Sequence, residues 1–330
     1  MIRVAFILIV LLLAFIVLLP FQLAGIVLNN NLQRSVPHLF HRILCAAIGV
    51  RISQIGARTR DLPALLLANH ASWLDITVLG ALTPVVFVAK SEVARWPGIG
   101  LLAKLQRTIF VERERRHKTG ETARNMAAHL INGDAVLLFP EGTSSDGIRI
   151  LPFRSALIGA VHHALGDSTH HDRVVVQPVS LAYTRYGGVP IGRALRDKVA
   201  WYGDTDLVPH LLGVLTSGAI DVTVSWGEAR TYDINADRKQ IAREAEAAVK
   251  RMTARALRGG PSESAAPLPA STSRAMTCAR CGAAFTCGLS TECWCTAEPA
   301  RLPLPGENHA DCLCRDCRRA EAARSDAVAR

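Results

Sequence analysis

Apolar and polar positions divide the chain into three regimes. From Val4 to Leu28 there is no charged residue, and Val4 to Leu19 is almost wholly apolar. Such a run is long enough to cross a ~30 Å hydrocarbon core, with Pro20 and Gln22 tolerated near one end, and predicts a single anchor helix over residues 1–30. Arg34, Arg42 and Arg51 follow it, whereas only Arg3 and the amino terminus precede it. That bias favours a single-pass anchor with the main body on the cytoplasmic side of an inner membrane. A cleaved signal peptide is the alternative, against which stand the length of the apolar region and the poor cleavage signal Gln22-Leu23-Ala24. Leu32, Val36, Leu39, Ile43 and Leu44 then recur among His and Arg residues. This pattern suits an amphipathic helix lying on a membrane or packed on the following domain.

Over the next two hundred residues, short apolar runs alternate with helical periodicity. Strands are expected at 64–68, 85–89, 108–111, 135–139, 173–182 and 221–226, with helices near 72–82, 98–106, 118–131, 154–165, 207–215 and 236–257, the last capped by Asn235. Alternation of this kind predicts an α/β domain with a mixed sheet flanked by helices. Pro178 inside the fifth strand suggests an edge or a bulge. From Gly259 to Ala275 the composition turns to Gly, Pro, Ser and Ala, a linker, and a separate small module follows at 276–320 with a tail at 321–330.

Composition narrows the partners. A formal charge of +10 points to an anionic surface or ligand. Aromatic residues are only 5% and show no base-stacking pattern, so nucleic acid is not expected.

Candidate chemistry sits where apolar strands break off. Leu65-Leu66-Leu67-Ala68 stops at Asn69-His70, and Asp75 follows five residues after the histidine. On one regular helix that spacing separates two side chains in azimuth, whereas a strand-to-helix turn brings them together. Ser72 and Asp75 also fit an acidic capping box, in which His70 is an ordinary loop residue. Thr108 to Glu112 is a strand running into Arg113, a candidate phosphate clamp or a solvated basic loop. Ala135 to Phe139 breaks into Pro140-Glu141-Gly142-Thr143, whose backbone N–H groups could meet an anion while Glu141 accepts from a hydroxyl or orients Arg113.

In their order these stretches resemble the glycerolipid acyltransferase family, which includes 1-acylglycerol-3-phosphate acyltransferases. Asn69-His70 with Asp75, Phe110 with Arg113, Phe139 to Thr143, and Val175-Val176-Gln177-Pro178 match its four blocks, and the resemblance covers about residues 50–230. Arg107, where glycine is frequent, and Gln177 depart from the pattern and bear on substrate fit. The resemblance implies an acyltransferase domain at 31–258 with the family's mixed-sheet fold. In it His70, oriented by Asp75, would deprotonate a lysolipid hydroxyl for attack on the thioester of acyl-CoA or acyl-carrier protein, with no cofactor. Asn69, Phe110, Arg113, Glu141, Gly142 and Thr143 would hold the acceptor. The leading product is phosphatidic acid from 1-acylglycerol-3-phosphate; the alternatives are O-acylation of a lyso-ornithine lipid and a non-catalytic lipid-binding scaffold.

The last module holds eight of the nine cysteines: Cys278, Cys281, Cys287, Cys293, Cys295, Cys312, Cys314 and Cys317. With few large apolar side chains it cannot build a core of its own, so metal or disulfides must hold it. Pairs two residues apart in a cytoplasmic chain favour structural zinc, and disulfides become the better reading if the topology is reversed. Cys293-Trp294-Cys295 resembles the signature of a small bacterial cysteine-rich domain, which implies an interaction appendage with a protein partner.

Overall fold

The computed structural model describes residues 2–112, 119–159, 173–233, 235–259, 273–288, 314–317 and 319–320. Two compact units are present, Met1–Glu263 and Ser264–Arg330.

In the first unit the apolar amino terminus forms α1 (Ile2–Val27), which turns into the antiparallel α2 (Leu32–Ile48). Gly49, at φ +85°, ends α2 in the left-handed conformation that glycine adopts without a Cβ penalty, and β1 (Val50–Ile55) begins at once. The remaining elements are β2 (Ala64–Ala68), α3 (Leu74–Leu82), β3 (Val86–Lys90), α4 (Ile99–Leu105), β4 (Ile109–Val111), α5 (Thr119–Ile131), β5 (Ala135–Leu138), β6 (Arg173–Tyr186), β7 (Val189–Pro190), α6 (Leu207–Thr216), β8 (Ile220–Trp226), β9 (Arg230–Asp233) and α7 (Arg238–Leu257).

The strands build one mixed sheet in the order β1-β8-β6-β2-β5-β3-β4. The half containing β6, β2, β5, β3 and β4 is parallel, whereas β8 and β9 run antiparallel to β6. β2 lies at the centre and all five of its residues are buried, which is why it reads as a continuous apolar run. One face of the sheet packs on α2 and α3 through Leu66, Leu74, Val78 and Leu137; the other packs on α5 and α7 through Leu65, Leu67, Met126 and Val249. Asp237, two residues after Asn235, caps α7 by accepting from Lys239 N–H at 2.8 Å.

The proline of β6 is not at an edge. β9 pairs with β6 as far as Val176 and β8 takes over at Val179, so Pro178 occupies the gap between two partners, where a missing N–H breaks no ladder. Gln177 spans the same gap. Its Oε1 accepts from Thr59 N–H at 2.8 Å, and its Nε2 donates to Ala57 C=O and Gly227 C=O, both at 2.9 Å. Gln177 is 1% exposed, and its departure from the family pattern closes a seam in the sheet.

α1 is long and apolar enough to cross a membrane, and most of its surface is uncovered. Its two ends are nevertheless tied to the same domain. Arg3 donates to Leu215 C=O at 3.1 Å and to Ile48 C=O at 2.7 Å, and Ile7 enters the core; farther along, Gln22 Nε2 donates to Leu105 C=O at 2.6 Å.

Gln177→Leu should leave three main-chain groups without their partner, of which the Thr59 N–H is buried. The expected cost is about 2–5 kcal/mol, read as a lower thermal midpoint with activity retained at a permissive temperature.

Candidate active site

β2 and β5 are parallel neighbours, so their carboxyl ends emerge side by side and bring His70 next to Phe139 and Glu141. The imidazole stacks on the Phe139 ring, with centroids 4.3 Å apart and planes 21° apart. His70 Nδ1 lies 2.8 Å from Asp75 Oδ2. The spacing of five residues becomes a contact because the chain turns from β2 into α3 between them. A carboxylate can only accept here, so Nδ1 carries the proton. Nε2 keeps its lone pair, has no partner among the described residues, and belongs to a side chain that is 20% exposed.

Asp75 is fully buried and has four donors. Oδ2 accepts from His70 and from the N–H groups of Ala71 (2.7 Å) and Ser72 (2.9 Å), and Oδ1 accepts from the Tyr183 hydroxyl at 2.6 Å. The carboxylate thus reaches back over the first turn of α3, as the acidic member of a capping box does. Ser72 does not act as the other member: its buried hydroxyl has no partner among the described residues, and Trp73 precedes the helix without a side-chain cap. Tyr183 escaped the sequence reading. Nothing in the run Val179-Ser180-Leu181-Ala182-Tyr183 marks it, since Ser180 offers a hydroxyl as well and position alone does not show that β6 aims the phenol at Asp75. Burial, followed by the charge of Asp75, pushes its pKa well up, so the phenol remains a donor.

Two expected substrate contacts turn inward instead. Asn69 is fully buried; its Nδ2 donates to Leu181 C=O at 3.0 Å and its Oδ1 accepts from Leu181 N–H at 2.8 Å. It thereby imitates one more residue of ladder between β2 and β6, and its amide has no exposed surface through which to meet an acceptor. Glu141 is 2% exposed, with Oε1 accepting from His70 N–H at 2.8 Å and Oε2 from Leu151 N–H at 2.9 Å. Burial pushes its carboxyl up to about 7, against the pull of those two N–H groups. Its work is to fix the backbone of His70, whose carbonyl in turn accepts from Ser145 N–H at 2.8 Å.

The outer rim holds the other residues. Gly142, at φ +77°, and the exposed Thr143 form the turn after β5. A Cβ at Gly142 would stand 3.2 Å from Cζ of Arg154, an exposed cation that the sequence reading passed over and that has no partner among the described residues. Phe110 is half-buried in β4, and Arg113 lies outside the described residues. Trp201, on the loop before α6, donates its main-chain N–H to Ala71 C=O at 2.8 Å, and its ring meets Trp96 edge-on.

In the second unit, β10 (Ser273–Thr277) and β11 (Ala284–Gly288) form a hairpin. The thiols of Cys278, Cys281, Cys314 and Cys317 lie within 4.8 Å of one another, none of them in a disulfide. Cys293, Cys295 and Cys312, and the side chain of Cys287, lie outside the described residues.

Comparison with known proteins fits this geometry. An acyltransferase family model matches residues 49–182. The chain is 48% identical over 242 residues to a lyso-ornithine lipid O-acyltransferase of Brucella abortus, covering 73% of this chain and 90% of that protein. The chain belongs to the acyltransferase family. A second lyso-ornithine lipid O-acyltransferase, from Rhizobium meliloti, is 44% identical over 255 residues, covering 77% of this acyltransferase and 87% of the relative. In fold, the acyltransferase matches the crystal structure of the 1-acyl-sn-glycerophosphate acyltransferase PlsC from Thermotoga maritima with a TM-score of 0.50 at 20% identity, over 77% of this chain and 97% of that one. The expected mixed-sheet fold and O-acyltransferase activity stand on these likenesses, and the scaffold alternative is set aside.

Tyr183→Phe removes one of four donors to Asp75 without changing shape. The expected result is a fall of about tenfold in kcat, corresponding to ~1.4 kcal/mol of a charge-assisted hydrogen bond, together with a small drop in thermal midpoint from the buried Oδ1 left without its donor.

Proposed function

We propose that this acyltransferase moves an acyl group from a thioester donor, acyl-CoA or acyl-carrier protein, to the free hydroxyl of a lyso-ornithine lipid. The observation that carries the mechanism is the His70 imidazole, pinned through Nδ1 to a buried carboxylate with Nε2 open to the outside. Nε2 takes the hydroxyl proton as the oxygen attacks the thioester carbonyl. The tetrahedral intermediate then expels the thiolate, and the imidazolium returns the proton to sulfur. Asp75 stabilises the imidazolium, and no protein nucleophile is required. Holding hydroxyl and carbonyl beside one base supplies the main gain.

The acceptor assignment rests on the extent of likeness to the two lyso-ornithine lipid enzymes, which runs through most of their length. This acceptor replaces 1-acylglycerol-3-phosphate as the leading reading. An ornithine headgroup offers a carboxylate and no phosphate, and Arg154 beside Gly142 is a cation placed to meet it. Gly142, Thr143 and Phe110 would line the approach. Arg113, two residues after β4 in sequence, is the second cation of this reading.

The same proposal places the protein on the cytoplasmic face of the inner membrane. Because both ends of α1 are fastened to one domain, we read α1 as embedded along one leaflet in place of a single-pass crossing, which would carry one end ~30 Å away. Its exposed face, with Phe6, Leu13, Val17 and Phe21, would meet lipid. Residues 31–258 form the catalytic domain of this reading, the linker runs from 259 only to 272, because β10 begins at Ser273 and not at 276 as composition suggests, and the zinc module up to residue 320 recruits a protein partner. Four thiolates around zinc at ~2.3 Å stand about 3.8 Å apart. Cys281 Sγ and Cys314 Sγ are 3.7 Å apart, so the cluster fits.

His70→Ala should abolish transfer in purified membranes while the protein stays folded and bound; near-normal turnover would sink the mechanism. In an assay with labelled donor, lyso-ornithine lipid should be acylated at least tenfold faster than 1-acylglycerol-3-phosphate, and the reverse order would return the assignment to phosphatidic acid. Arg154→Ala should raise KM for the lyso-ornithine acceptor and leave kcat nearly intact. The reduced full-length protein should carry one zinc removable by chelator, and Cys281→Ser should lose it.

A further inference from the structure

A second cavity lies at the opposite end of the sheet from His70. It has a volume of about 190 Å³ and opens where β2, β3 and β5 begin, walled by the first half of α2 and by the loop between α4 and β4. Since β2 separates the two ends, its floor is roughly 17 Å of strand away from the imidazole.

Three guanidiniums, those of Arg34, Arg58 and Arg107, line this cavity against a single carboxylate, Asp134. Asp134 is already saturated: Oδ1 accepts from Arg34 Nε at 2.7 Å and from Arg107 Nη2 at 2.8 Å, and Oδ2 from His129 Nδ1 at 2.8 Å. Arg58 has no acceptor among the described residues, and its Nε is buried. The Nε of Arg107 is likewise buried and has no acceptor among the described residues, although Nη2 of the same side chain is paired with Asp134. Arg107 stands at φ +60°, a conformation natural to glycine, so an arginine is held there against backbone preference. Arg58 is thus a half-buried guanidinium facing the cavity without a carboxylate of its own among the described residues, which leaves its donors to an anion from outside the chain.

The surroundings say what that anion carries. Pro37 and Gln106 also line an adjoining apolar crevice of about 50 Å³ between α1, α2 and α4, formed by Phe15, Leu18, Leu19, Phe40, Leu102 and Leu105. Leu102, on its rim, is exposed together with Leu101 and the outer face of α1. A positively charged chamber beside a greasy slot, on the face turned to lipid, matches an amphiphile with an anionic head and a hydrocarbon tail. We propose that this cavity binds an anionic phospholipid, its phosphate between Arg58 and Arg107 and the start of one acyl chain in the crevice, as a ligand distinct from the substrates at His70.

The test is thermal melting of the full-length protein in detergent with short-chain phosphatidylglycerol, phosphatidylcholine of equal chain length, or glycerol 3-phosphate. Phosphatidylglycerol should raise the midpoint by about 5 °C, the others little. Arg58→Gln should abolish that rise, and Arg58→Lys should keep part of it. Arg58→Gln should itself fold and turn over normally, because the guanidinium has no bond to lose. If Arg58→Gln does not fold, Leu102→Trp, which fills the crevice, should remove the rise instead. Equal shifts with phosphatidylcholine, or a phosphatidylglycerol shift that survives in Arg58→Gln or Leu102→Trp, would overturn the proposal. So would an equal shift from glycerol 3-phosphate, which would assign the cavity to soluble phosphate esters.

Discussion

Much of this structure is arranged to keep one carboxylate charged in a dry place. Asp75 has no exposed surface, and an isolated ion there would be expelled or neutralised. Four donors prevent that, and each comes from a different constraint: two main-chain N–H groups from the turn into α3, a phenol from the longest strand, and the imidazole itself. The parallel pairing of β2 with β6 puts Tyr183 within reach, and the burial of β2 on both faces puts the turn at the sheet's centre.

Around that ion, much of the polar machinery faces inward. Glu141 and Ser145 fasten the two main-chain groups of His70, and Asn69 sews β2 to β6. His70 is therefore held by segments some seventy residues apart in sequence. In the proposed mechanism, preorganisation of this kind would lower the cost of reaching the reactive arrangement and leave acceptor choice to the rim formed by Gly142, Thr143 and Arg154.

The sequence made the central strands legible because each is short, apolar and stopped by a turn former; β2 was expected over the same residues in which it occurs. β1 was hidden because Arg51, Ser53 and Gln54 sit on a half-covered strand at the end of the sheet order, so its pattern ran on from the amphipathic helix before it. Motif order identified His70 and Asp75 as a pair but gave no means of separating residues that face a ligand from those that hold the frame. Asn69 and Glu141 look like ligand groups in a string of letters. Only the pairing of β2 with its neighbours shows that their polar atoms are consumed by main chain. Tyr183 and Arg154 carried no local signal, since their relevance arises wholly from contacts across strands and loops.

The anchorage of α1 also fixes how the molecule sits. Its first turns touch the segments leading into β1 and β8, and its last turns approach the entrance to β4, so the helix runs the length of the sheet from one edge of the strands to the other. At 26 residues it extends ~39 Å. A bilayer meeting its oily side would therefore lie alongside the strands, and the domain would recline on it. Both mouths of the molecule would then graze the same sheet of lipid from opposite flanks, so that amphiphiles could slide into either without first leaving the membrane.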